Sequence, residues 1–217
     1  MRSARVMSRS VLLLALPLIP LRPEGVPAQN ALPRLMPESD EIRLALSAAP
    51  PEVARDADVW VLRRGGHVKV RTGTSGVACM VGRDHPESLY PICYDAEAAR
   101  SILPIAIRES QLREKGADDA TIEREVTGAI ERGELKLPAA SAMSWMLSRD
   151  QVIYAGASGR RVGQWHPHIM IYMPYATRAK LGYPARANGD LGIGDEGKAT
   201  AHLIVITGAW STEPGSG

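Results

Sequence analysis

Polar and apolar residues alternate along His67-Val68-Lys69-Val70-Arg71, the two-residue period of a half-buried strand. Residues 58–64 before it are also strand-like, and Gly65-Gly66 between the two runs is a hairpin signal. With a two-residue loop, Arg63 faces Val68 and Val61 faces Val70. Val59, Val61, Val68 and Val70 then share one face, and His67, Lys69 and Arg71 the other. A second turn at residues 73–76 leads into Val77-Ala78-Cys79-Met80-Val81, which predicts a three-strand meander with Cys79 opposite Val70 on the core face. Residues 82–94, which carry Asp84-His85-Pro86, read as a loop.

The period then lengthens. Asp95 suits the N-cap of a helix running towards Gly116, kinked or restarted at Pro104. Asp118 or Asp119 caps a second helix, in which Ile122, Val126 and Ile130 recur at i, i+4 and i+8 before Gly133 ends it. Residues 38–49 form a short helix that Pro50-Pro51 terminates. Strand signals return at residues 143–147, 151–155, 168–173 and 201–207. A glycine-rich loop, 156–163, separates the second from the third, and an irregular stretch, 182–198, separates the third from the fourth. Strands on both sides of a helical pair predict an α+β domain. Its sheet is mainly antiparallel, an N-terminal three-strand meander plus C-terminal strands, with the pair of helices on one face. No internal repeat is visible.

The chain's beginning changes how its charge is read. Arg2, Arg5 and Arg9 precede an apolar run at residues 11–21, and Val26-Pro27-Ala28 supplies a small-residue cleavage site: the order of a secretory signal, cut after Ala28. The run covers about 11 residues where a membrane span needs about 20. Pro17 and Pro20 interrupt it as well. This segment holds four arginines (2, 5, 9, 22) against Glu24, a net +3 out of the chain's formal +2, which leaves the mature chain near −1. With no dense Lys/Arg stripe interleaved with aromatics, nucleic acid is excluded as a partner class. The expected organisation is a signal peptide at 1–28, a lead-in segment at 29–57, one domain at 58–210 and a disordered tail at 211–217. The mature chain is expected to be exported, periplasmic or secreted, without a membrane span.

Cys79 and Cys93 are the whole thiol inventory. In an oxidising compartment an isolated pair at this separation predicts a disulfide. The competing reading, a metal site from Cys79, His85 and Cys93, lacks the close C-x-x-C pairs of thiolate zinc sites.

Motifs that carry chemistry are sparse. Gly192-Ile193-Gly194-Asp195-Glu196-Gly197 matches the letters of a dinucleotide fingerprint, but a strand follows it where a helix is required. Neither 73–76 nor 156–159 fits a G-x-S-x-G nucleophile elbow, and the sequence has no P-loop and no H-E-x-x-H. Asp84-His85 places an imidazole beside a carboxylate, which suits either proton transfer or a plain turn. Trp165-His166-Pro167-His168 opens an apolar strand with histidines at i and i+2, a spacing metal sites use, and His202 opens the last strand. The same histidines also read as strand-end residues satisfied by backbone carbonyls. In texture, Gly82-Arg83-Asp84-His85-Pro86, Pro91-Ile92-Cys93-Tyr94-Asp95 and residues 167–175 resemble families of exported bacterial proteins without an assigned role. That resemblance carries over no catalytic residue and no fold.

The leading functional expectation is therefore a binding module, with His166, His168 and His202 holding a small ligand or a divalent metal beneath the 182–198 stretch. The alternative is a metal-assisted hydrolase, in which Asp190, Asp195 or Glu196 joins the histidines to activate water. A third is a structural or protein-interaction domain with no small-molecule site.

Overall fold

The computed structural model describes residues 33–155, 160–182 and 191–211. The expected signal segment, residues 156–159, Asp190 and residues 212–217 lie outside the described residues. In chain order the elements are helices α1 (Glu38–Leu46) and α2 (Pro51–Ala54), then strands β1 (Asp58–Arg63), β2 (Gly66–Arg71), β3 (Ala78–Gly82) and β4 (Tyr90–Tyr94). Helices α3 (Ala96–Glu114) and α4 (Asp119–Glu131) follow, then strands β5 (Ala142–Met146), β6 (Ile153–Ala155), β7 (Arg160–Gly163) and β8 (His168–Tyr172). Helix α5 (Arg178–Leu181) and strands β9 (Leu191–Gly194) and β10 (His202–Ile206) complete the chain.

Eight strands form one sheet in the order β2-β1-β3-β4-β5-β8-β10-β9, and β6 pairs with β7 in a separate ribbon. Every pair in the large sheet is antiparallel except β1 with β3. The fold is thus α+β with a mainly antiparallel sheet, as the sequence pattern predicts.

The N-terminal strands do not form the expected meander. β3 lies on the far side of β1 from β2 and runs parallel to it, pairing Val59 with Cys79 rather than Val70 with Cys79. The reason is the connection after β2. Thr74 and Ser75 both donate their backbone N–H to the carbonyl of Asp56, and Asp58 N–H donates to Val77, so the chain passes around the start of β1. Gly73 lies against the Asp56–Ala57 backbone so closely that a Cβ there would overlap it. The hairpin register also moves by two residues, to Val61↔Val68 and Arg63↔Gly66, because Arg64-Gly65 form the loop, with Gly65 at φ 91°. The even shift keeps Val61 and Val68 on one face, and a bulge between Val59 and Trp60 then brings Val59 opposite Arg71.

Residues 90–94, expected as loop, are strand β4, and Cys93 stands directly across from Cys79. The two are joined in a disulfide. One face of the sheet, formed by Val59, Val61, Cys79, Val81 and Cys93, is covered by Leu44 and Ala45 of α1 and by Ala54 of α2. Residues 38–54 therefore belong to the core. The other face, with Met80, Ile92, Tyr94, Met146 and Met170, is covered by Ala98, Ile102 and Leu103 of α3. Asp95 and Asp118 cap α3 and α4 by accepting from the N–H groups of Ala98 (2.7 Å) and Thr121 (2.8 Å). α3 runs through Pro104 unbroken. α4 forms a second tier, packing Ile122 and Val126 on Ile105 of α3. No helix among the described residues makes more than marginal contact with β8, β10 or β9.

Candidate functional site

The last of these facts creates a cavity. On the α3 side of the sheet, where the helix stops short of β8 and β10, a space of about 630 Å³ remains. Its floor follows from strand pairing. Tyr94 faces Ser144, Ser144 faces Met170 and Met170 faces Ile204 in one row. Met146, His168 and Ile206 form the next row, and Ala142, Tyr172 and His202 the row on the other side. The α3 wall is Ile102, Ala106, Glu109 and Arg113, spaced as one helical stripe, and Tyr90 and Trp165 stand beyond the Met146–His168–Ile206 row with rings 5.8 Å apart.

Two glycines shape this floor. Gly82 lies opposite Tyr90, and a Cβ there would enter the phenol ring; Gly194 lies opposite His202, and a Cβ there would enter the imidazole. Each ring lies flat across its cross-strand glycine, a packing that strands use to cover exposed backbone.

The lining carries polar groups as well. The Nδ1 of His168 is 2.7 Å from the carbonyl of His166, and the Nδ1 of His202 is 2.9 Å from that of Thr200. A carbonyl can only accept, so each Nδ1 carries a proton, and in a neutral His168 ring Nε2 keeps a lone pair. Burial, with His202 nearby, holds His168 below its ordinary pKa and so neutral. Burial also raises the Tyr90, Tyr94 and Tyr172 phenols, which stay protonated. Tyr172 shares a hydrogen bond of 3.2 Å with Ser144. Glu109 is pushed up to about 7, first by burial and then by the Asp195 carboxylate, with Arg113 and Lys198 pulling the other way. Arg113 is itself held by Asp119 at 2.7 Å.

The sequence-predicted site residues are only partly gathered. His166, His168, His202 and Asp195 all border the cavity. His168 and His202 lie on neighbouring strands and on one face, but the strands are antiparallel. His168 pairs with Ile206 and His202 with Tyr172, four residues apart, which is about 14 Å along the strand. Beginning a strand therefore puts the two histidines at opposite ends of the pair. Both nonetheless show the backbone-carbonyl contact that the alternative reading assigned them. Among the described residues no group of three or more His, Cys, Asp or Glu side chains is placed to hold a metal ion. Glu196 turns away to pair with Arg178 at 2.7 Å. The 182–198 stretch contains strand β9. His85 stacks on Tyr154 at 4.9 Å and accepts from Glu87 N–H at 3.1 Å, a turn residue away from the cavity.

Sequence reasoning missed Glu109, Tyr90, Tyr94 and Tyr172. A signal existed for Glu109, a carboxylate on the same helical stripe as Ile102 and Ala106. Tyr172 likewise shares the parity of His168 and Met170. Comparison with protein-family models, curated proteins and solved structures finds no match, so the site is read from its own geometry.

Proposed function

We propose that the chain is an exported binding module whose cavity takes up one small, mostly apolar molecule. The observation that carries this reading is the less covered half of the sheet, where Met146 and Met170, at the edge of the α3 cover, join Ile204 and Ile206 of β10 to floor a space of about 630 Å³. Ligand pockets fall at roughly 300–1,000 Å³ and combine apolar walls with a few converging polar groups. Export is supported by the basic, apolar and small-residue order of residues 1–28 and by the Cys79–Cys93 disulfide.

The test uses the protein secreted from a full-length gene. Its intact mass should correspond to a chain beginning near Gln29, and retention of Met1 would refute export. N-phenyl-1-naphthylamine, a neutral fluorescent probe, should bind saturably at one site. Ile204→Trp should abolish that binding by filling the cavity, while Leu203→Trp, on the opposite face of the same strand, should retain it. Absence of saturable binding by the parent protein, or equal effects of the two variants, would remove the cavity reading.

A further inference from the structure

We propose that the cavity selects a protonated primary amine on an apolar body, with the ammonium head held at Glu109 and Asp195 and the body lying over Met146, Met170 and Ile204. This rests on the ligand-binding reading above and adds a chemical class to it.

The first argument is the balance of charge. Asp84, Glu109 and Asp195 border the cavity against one cation, Arg113, whose guanidinium is already occupied by Asp119. An anionic head would meet three carboxylates, whereas a cation meets charges that need one.

The second argument is hydrogen-bond type. No hydrogen bond reaches the Glu109 carboxylate among the described residues, and Asp195 accepts only from Thr200 Oγ1, at 2.9 Å. His168, only 4% exposed, offers a lone pair at Nε2 once its Nδ1–H is spent on His166. The Tyr94 hydroxyl, on a residue 3% exposed, can also accept. The carboxylates and the His168 Nε2 are acceptors, and an ammonium supplies three donors. A neutral alcohol supplies one, and a carboxylate none.

The third argument is the ring faces. Tyr90 and Tyr172 border the same cavity as Glu109 and Asp195, so a cation entering it also meets aromatic quadrupoles. Burial first, and then crowding by Asp195 and Asp119, raises the proton affinity of Glu109, compensated only partly by Arg113 and Lys198. A bound ammonium would relieve that crowding.

The experiment is displacement of N-phenyl-1-naphthylamine at pH 8 by decylamine, 1-decanol and decanoate, which share a chain length and differ in the head. Decylamine should displace the probe at about tenfold lower concentration than decanol, the size expected for a charge-assisted contact, with decanoate weakest. Glu109→Gln should bring decylamine to within about threefold of decanol. Asp195→Asn should act in the same direction; Asn tolerates the left-handed backbone of residue 195 (φ 48°), so this variant carries the test should Glu109→Gln fail to fold. Decanol or decanoate matching decylamine on the parent protein, or a preference that survives both substitutions, would overturn the amine assignment while leaving the cavity reading intact. Failure of the probe itself to bind would overturn both.

Discussion

Two buried titratable residues pull stability in opposite directions over the same pH range. Glu109 has its pKa raised from 4.5 to about 7, by burial first and Asp195 second. Its folded form holds a proton more tightly than the unfolded chain, so its contribution is fully present below 4.5 and is lost as pH rises to about 7. His67 has its pKa lowered from 6.5 to about 4, by burial first and Arg83 second. Its contribution is present above 6.5 and is lost as pH falls to about 4. Between 4.5 and 6.5 the two slopes oppose each other. Replacing one should therefore expose the other: Glu109→Gln should gain stability over the parent at pH 7.5 and lose that gain by pH 4.5. His67→Gln should show stability falling more steeply than the parent from pH 4.5 to 7. Urea unfolding at four pH values checks this. Three parallel stability curves would show that neither group changes its proton affinity on folding.

At the level of elements, the fold turns on the crossing that makes β3 parallel to β1. Gly73 has no φ requirement, but its α-carbon lies against backbone that cannot yield in the way a side-chain tip can. Gly73→Ala should therefore destabilise by about 3 kcal/mol, at the upper end of overpacking costs. Gly194→Ala, which meets the imidazole of His202, should cost far less because that ring can rotate away. Equal midpoints in thermal unfolding would refute the distinction. The same crossing marks where sequence reading stops. Caps at Asp95 and Asp118, the helical stripe of α4, the alternation in β2 and the strand signals at β1 and β8 were all legible, because each is a local pattern. β4 was not, since Tyr90-Pro91-Ile92-Cys93-Tyr94 lies in the middle of the sheet, covered on both faces, and so carries no alternation. For the site, His168 and His202 were each read as beginning an apolar strand, but a strand's start says nothing about its direction. Antiparallel pairing then separated them. Glu109 could be seen as a charge on an apolar stripe, but what it faces depends on how far α3 extends over the sheet.

For the whole molecule, the sheet divides into a half clad by helices and a half without them. β1, β3 and β4 lie between α1 on one face and α3 on the other, and the disulfide joins the inner pair. β8, β10 and β9 have the cavity on one face. On the reverse they carry a row of Ile171, Leu203 and Ile193 paired across the strands, with no helix lying along it among the described residues. Opening free energy follows buried apolar contact, so local opening should begin in this half. Hydrogen exchange should find the amides of β10 exchanging through smaller openings than those of β3 and β4, although both sets are fully paired. A ligand that binds only the closed cavity adds its free energy to exactly those openings. At about one hundred times its dissociation constant, N-phenyl-1-naphthylamine should slow exchange in β8 and β10 by up to about a hundredfold, with β3 little changed if its opening does not empty the cavity. Uniform protection across the sheet, or slowing spread equally over both halves, would show that the eight strands open as one unit and that the missing helices carry no energetic consequence.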